Sequence, residues 1–243
     1  TPLMLYFSKS LKLPPKLLLL ALAFSVTIGS AMSPIGNPQN LLIALNCDMA
    51  NPFLVFSRYL AFPTIVNLLL AFLLLKLFYK RQFSNGPLEI HPAKILDARL
   101  AFLSEVSFFL LLALIFVKIA MVLLQMGDEF RLTYIALVSA LPIILFSSRR
   151  WTILKEIDWH TLLFFAAMFV LMDSVWRSGI LQSFMASSET DLASIPTILA
   201  ASVLISQLVS NVPFVALFQT LLVNPSTEDL MALAAGSTIA GNL

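Results

Sequence analysis

Residues 25–40 read Ser-Val-Thr-Ile-Gly-Ser-Ala-Met-Ser-Pro-Ile-Gly-Asn-Pro-Gln-Asn, between the apolar runs 17–24 and 41–45. Two prolines, two glycines and two asparagines within sixteen residues cannot all ride in one continuous helix. The flanks, however, have the composition of membrane segments. In hydrocarbon, non-helical backbone persists only where protein or a water-filled cavity satisfies its N–H and C=O groups. A broken helix with Ser33, Asn37, Gln39 and Asn40 at the break is therefore a candidate solute or ion site at membrane depth. A tight turn between two short helices is the plainer alternative.

The composition agrees with the flanks. Of 243 residues 59% are apolar and only 12% charged, against about a quarter charged in soluble domains, so the chain reads as an integral membrane protein. The single cysteine, Cys47, allows no intrachain disulfide and no thiolate metal cage. His91 and His160 lie in polar flanks and form no two-histidine motif. Nothing resembles a phosphate-binding glycine loop or a nucleophile elbow. These features argue against an enzyme, against a cofactor and against any metal beyond a transported sodium ion. The expected partners are the lipid bilayer and a small inorganic or organic ion. Nucleic acid is not expected, and a homodimer is left open.

The expected class is all-α, a polytopic inverted-repeat transporter with re-entrant hairpins and unwound helices. Residues 1–50 hold the end of a first hairpin, a short helix over 1–13, and the broken helix of repeat 1. Residues 51–81 are a span, with its apolar part at 53–75. Residues 82–100 form a cytoplasmic linker in which 91–100 suits an interfacial helix. Residues 101–192 carry the scaffold spans of repeat 2, at 101–126, 132–146 and 159–181. Residues 193–243 hold a second hairpin and the start of a second broken helix. Within 193–223 the apolar run is interrupted by Ser206, Gln207, Ser210, Asn211 and Pro213. Each arm is shorter than the roughly 20 residues needed to cross, which suits a re-entrant hairpin with a polar tip. A helix with a proline kink is the alternative.

Charge orients the segments. The loops at 9–16, 76–99 and 149–155 hold eleven of the fifteen basic residues, and the alternate loops hold only Arg131. By the positive-inside rule the first set is cytoplasmic, which predicts a multi-pass protein of the inner (plasma) membrane.

Shifted by 211 residues, the two ends of the chain align without a gap. Pro2 falls on Pro213, Phe7 on Phe218, Pro14 on Pro225, Ala21-Leu22-Ala23 on Ala232-Leu233-Ala234, and Thr27-Ile28 on Thr238-Ile239. The two copies emerge on opposite sides, as inverted-repeat transporters require. The alignment also places a second polar tip before Thr1 and a second unwound loop after Leu243, so the chain is expected to be a fragment.

The tip Ser210-Asn211-Val212-Pro213, and the run Gly29-Ser30 followed by Ser33-Pro34-Ile35-Gly36-Asn37-Pro38-Gln39-Asn40, resemble the ion transporter superfamily. That group includes arsenical-pump membrane proteins, NhaD-type sodium–proton antiporters and divalent-anion–sodium symporters. The run from Ile157-Asp158-Trp159 to Phe169-Val170-Leu171 looks like the helix preceding the second hairpin there. The resemblance covers essentially the whole chain and is closest to the arsenical-pump branch. It implies substrate and cation bound at two hairpin tips and two unwound helices, with alternating access by an elevator-like movement. Carried over by position, Ser210 and Asn211 are the second tip, and Ser33, Gly36, Asn37, Pro38 and Asn40 the first unwound loop. The symporters have Ser-Asn-Thr at the tip, and the missing threonine here leans away from carboxylates.

The resulting expectation is a permease for a small anion such as arsenite, another oxyanion or a carboxylate, coupled to a sodium or proton gradient. A sodium–proton antiporter is the first alternative, and a pore or membrane enzyme the second. Asp173 decides between the first two. It lies four residues before Arg177, so it either pairs with that arginine or relays a coupling ion. Lys118, also within a span, is expected to snorkel.

Overall fold

A computed structural model describes residues 2–11, 13–47, 49, 51–84, 95, 97–126, 131–180, 182–183, 194–222 and 224–241. Among them the architecture is all-α. The chain divides into two compact units, Thr1–His91 with Ala166–Leu243, and Pro92–Phe165.

In the first unit, α1 (Pro2–Ser10) and α2 (Pro15–Ser30) are separated by Pro14, whose ψ of 127° is forced out of the helical region by the proline after it. Pro15 then opens α2, where its missing N–H costs nothing. After the break come α3 (Pro38–Asn46) and α4 (Pro52–Phe78), capped by Asn51, whose side chain accepts from Leu54 N at 3.2 Å. Pro63 lies inside α4, and Asn67 donates to its carbonyl at 2.9 Å. The short α5 (Lys80–Ser84) follows.

The predicted hairpin is α10 (Ile195–Val209) and α11 (Asn211–Leu221), meeting at Ser210. Pro213 sits in the first turn of α11, where proline is tolerated, so it kinks nothing. Next is α12 (Thr227–Ala240), started by a capping box between Ser226 and Asp229.

The helix α12 is the hub of this unit, packing on α2, α3, α4, α10 and α11. Beyond its acidic first turn it is mostly apolar, as a largely surrounded helix should be, and Leu230, Met231, Leu233, Ala234, Ser237 and Thr238 are all buried. Its close approach to α10 depends on Gly236, where an added Cβ would lie 2.6 Å from the Cβ of Ser202. Leu233 of this helix and Ile43, Phe56, Ile198 and Val215 of the helices around it are completely buried. Shifted by 211 residues, α11 falls on α1 and α12 on α2 to within two residues at each end. The self-alignment thus pairs like with like.

The second unit contains α6 (Ala98–Leu123), α7 (Leu132–Phe146), α8 (Arg150–Glu156) and the start of α9 (Trp159–Arg177). Asp97 caps α6 through Leu100 N at 2.9 Å and also meets Arg149 at 3.4 Å. Lys118 corrects one expectation. Its side chain is buried, with the residue 4% exposed, instead of reaching for an interface. The proposed interfacial helix at 91–100 and the polar stretch at 187–191 fall largely or wholly outside the described residues, and α6 itself begins at Ala98.

Among the described residues three helices, α4, α6 and α9, are long and apolar enough to cross a membrane. Their outer faces carry large apolar side chains such as Phe62, Phe78, Phe102 and Phe116, a pattern at home against acyl chains.

Candidate functional site

The site grows out of the end of α2. Its last carbonyls have no helical partner, and the sequence supplies one in Asn40. The Nδ2 of Asn40 lies 3.1 Å from Ser30 O, 3.2 Å from Ala31 O and 3.1 Å from Ser33 O. Asn40 is fully buried, and its Oδ1 has no hydrogen-bond partner among the described residues. The loop folds tightly enough that Gly36 N donates to Ser33 O at 3.1 Å. An added Cβ at Gly36 would stand 2.2 Å from Ser30 O, so only glycine fits. Pro34 is buried in the same turn, and Pro38 opens α3. Ser33 contributes its carbonyl to Asn40, and its hydroxyl accepts weakly from Ile35 N at 3.4 Å.

Asn37 caps α3, its Oδ1 accepting from Asn40 N at 2.8 Å. Its Nδ2 donates to Ser30 Oγ at 3.1 Å and to Thr238 Oγ1 at 3.0 Å. Ser30 Oγ donates onward to Thr27 O at 2.7 Å. One amide therefore joins α2 and α12 at Thr27 and Thr238, the two positions that coincide under the 211-residue shift.

The hairpin tip arrives at the same place. Ser210 has φ +78° and ψ 152°, a strained conformation for a residue with a side chain. Its hydroxyl makes no capping bond to α11. Asn211 lies beside the end of α12: a Cβ on Gly241 would be 3.2 Å from Asn211 Nδ2, 3.3 Å from Thr238 O and 3.6 Å from Thr27 Cγ2. Gln207, one turn before the tip, donates to Ala240 O and so satisfies a carbonyl at the end of α12. Behind Thr238 a cavity of about 160 Å3 is bounded by Ile28, Pro63, Thr64, Asn67 and Ala235 among others.

The structure therefore gathers Ser33, Gly36, Asn37, Pro38 and Asn40 in one loop and brings Asn211 to the same end of α12 that Asn37 reaches. Asp173 is in α9, more than half exposed, with its Oδ2 2.8 Å from Nε of Arg177. Among the described residues no group of three His, Cys, Asp or Glu could hold a metal. Thr27, Gln207, Thr238 and Gly241 were not among the expected site residues, although Thr27 on Thr238 was an identity in the self-alignment.

The model of the citrate transporter family, CitMHS, matches residues 1–240. The chain belongs to that family. Several curated proteins are similar to it. The "46 kDa membrane protein" of Mycobacterium leprae is 27% identical over 93% of the chain and 56% of its own length. The "P protein" of Mus musculus is 25% identical over the whole chain and 40% of its own length. The silicon efflux transporter LSI3 of Oryza sativa subsp. japonica is 35% identical over 40% of the chain and 20% of its own length. The chain spans about half the length of the curated relatives it matches first. No solved structure matches it. Membership places the chain in a family of membrane transporters within the ion transporter superfamily.

Proposed function

We propose that the chain carries the solute-binding core of a secondary transporter for a small anion, working by alternating access and coupled to an ion gradient. The observation that carries this reading is the meeting of a broken helix and a hairpin tip at one end of α12, with Asn37 and Asn211 both reaching it. Such discontinuous helices present N–H ends to anions and carbonyl oxygens to small cations. The residues gathered there are uncharged, which suits an oxyanion or carboxylate that brings its own coupling cation. Citrate in the family's description and silicon in a relative's name mark the range of cargo, and arsenite remains a candidate from the arsenical-pump likeness. The protein would then be a multi-pass protein of the plasma membrane, with the loops at 76–99 and 149–155 in the cytoplasm.

The sodium–proton antiporter stands second, because Asp173 is the acidic residue it would need and that carboxylate is already paired with Arg177.

The test is uptake of citrate, arsenite and silicic acid into proteoliposomes, with and without sodium or proton gradients. The protein should carry the natural sequence flanking residues 1–243. One solute should accumulate in a gradient-dependent way, and Asn211→Ala and Asn37→Ala should each abolish it while the protein still folds. Full uptake by both variants would overturn the site.

A further inference from the structure

We propose that Thr238 is a positioning residue that fixes the distance between the loop asparagine and the tip asparagine. The inference rests on reading the loop and tip as the transport site, and it deepens that reading.

Both protons of the Asn37 amide are engaged, one by Ser30 Oγ and one by Thr238 Oγ1. Its oxygen holds Asn40 N. Asn37 is thus oriented from three sides, and two of those sides belong to its own loop. Thr238 is the third, and it alone comes from the other end of the chain. Thr238 is itself rigidly held: it is 1% exposed on a helix surrounded by five others. Its carbonyl borders the space at Gly241 that Asn211 also borders. One residue therefore meets the loop through its hydroxyl and neighbours the tip through its backbone. Removing the hydroxyl would strand one Asn37 proton in a half-buried place, which favours rotation of the amide.

Threonine, valine and serine separate this role from simple packing. Valine keeps the shape and loses the hydroxyl; serine does the reverse. For positioning, Thr238→Ser should stay within about twofold of wild type in KM for whichever of citrate, arsenite or silicic acid is carried. Thr238→Val should raise KM about tenfold, the range expected for one lost hydrogen bond. For packing alone the order inverts, with valine the better substitute.

A second measurement needs no solute. In a Cys47→Ser background, nitroxides at the exposed positions Ile35 and Leu208 report the distance between loop and tip. Its distribution should broaden in Thr238→Val and match wild type in Thr238→Ser. An unchanged distribution in Thr238→Val, or a valine variant that transports better than the serine variant, overturns the inference. If Asn37→Ala and Asn211→Ala abolish uptake while Thr238→Val transports like wild type, only the positioning role fails. If the two asparagine variants transport normally, the site reading fails first.

Discussion

The break at 31–37 and the tip at 210–211 interrupt apolar helices with the same residue types, serine and asparagine, yet they treat their polar groups in opposite ways. In the break, the carbonyls left over from α2 go to Asn40, and the donors at the start of α3 include one held by Asn37. In the tip, Ser210 is held at φ +78° and its hydroxyl caps nothing. Asn40 is wholly buried, whereas Ser210 is exposed. Apart from the Oδ1 of Asn40, the loop thus spends its polar groups on its own structure, whereas the tip stores strain and leaves the Ser210 hydroxyl uncapped. Equal polarity in the sequence conceals this division of labour: the loop supplies a fixed wall, and the tip supplies the groups that a solute can meet.

If that division is right, damage to Gly36 or Asn40, which close the break on itself, should appear first as lost stability, whereas Asn37, which reaches α12, should cost uptake. The largest effect belongs to Gly36→Ala. Its new Cβ would overlap the backbone of Ser30, at 2.2 Å from the oxygen and 2.8 Å from Cα, and no flexible side chain is there to yield. A cost above about 3 kcal/mol is expected, in the range of the most disruptive substitutions, and the variant should fail to accumulate in membranes. Next is Asn40→Ala, which removes the side-chain donor from Ala31 O and leaves Ser30 O and Ser33 O with only their backbone donors, Ser33 N and Gly36 N. A loss of about 2 kcal/mol is expected, read as a lower unfolding temperature in detergent. If Asn40→Ala folds like wild type but loses uptake, the loop is not the self-contained wall described here.

Much of this is legible in the sequence. Pro34, Gly36 and Pro38 are breakers whatever surrounds them, so the interruption of α2 could be placed to within a residue or two. Ser210-Asn211 likewise stood out against its apolar arms, and the hairpin follows from arm length. What could not be read was which polar groups would be spent. The carbonyls at the end of α2 face Asn40, because that residue lies in the first turn of α3 with its side-chain nitrogen toward the gap. Thr238 stands beside Ser237 near the end of a mostly apolar helix, and such hydroxyls often satisfy a carbonyl of their own helix. Its role depends on a contact 201 residues away in sequence, which no local pattern reveals. The burial of Lys118 is equally a matter of packing, invisible in a helix whose sequence is apolar throughout.

The tip should respond in the other direction. Glycine adopts φ +78° without the penalty that a Cβ incurs, so Ser210→Gly should stabilise the protein by about 1 kcal/mol, after allowing for the greater freedom of glycine in the unfolded chain. At the same time the lost hydroxyl should weaken solute binding, raising KM several-fold. A stabilised but weaker transporter would be the signature of a residue kept for function at a cost in folding. Should Ser210→Gly destabilise the fold, the strain assigned to the tip is not there and the contrast with the break collapses.

The smallest effect concerns Asp173, which lies in neither region. If the break and the tip supply the whole site, Asp173 has only Arg177 to serve. The pair is spaced one helical turn apart at 2.8 Å, with both side chains more than half exposed, and such i,i+4 pairs contribute only about 0.3–0.5 kcal/mol. Asp173→Asn and Arg177→Gln should each cost about that much in stability, and the double variant should cost no more than either alone, because the second change finds no partner left to lose. Uptake should keep the same dependence on external pH in all three. The antiporter reading expects something different: Asp173→Asn would remove proton coupling whether or not Arg177 is present, since a neutral amide cannot carry the proton. Measuring uptake between pH 5 and 8 in the two singles and the double therefore decides whether an acidic group outside the loop and tip takes part. A flat comparison leaves the uncharged pair of helix breaks as the whole of the machinery, and a loss of pH dependence in Asp173→Asn, persisting in the double, would move the coupling site to α9.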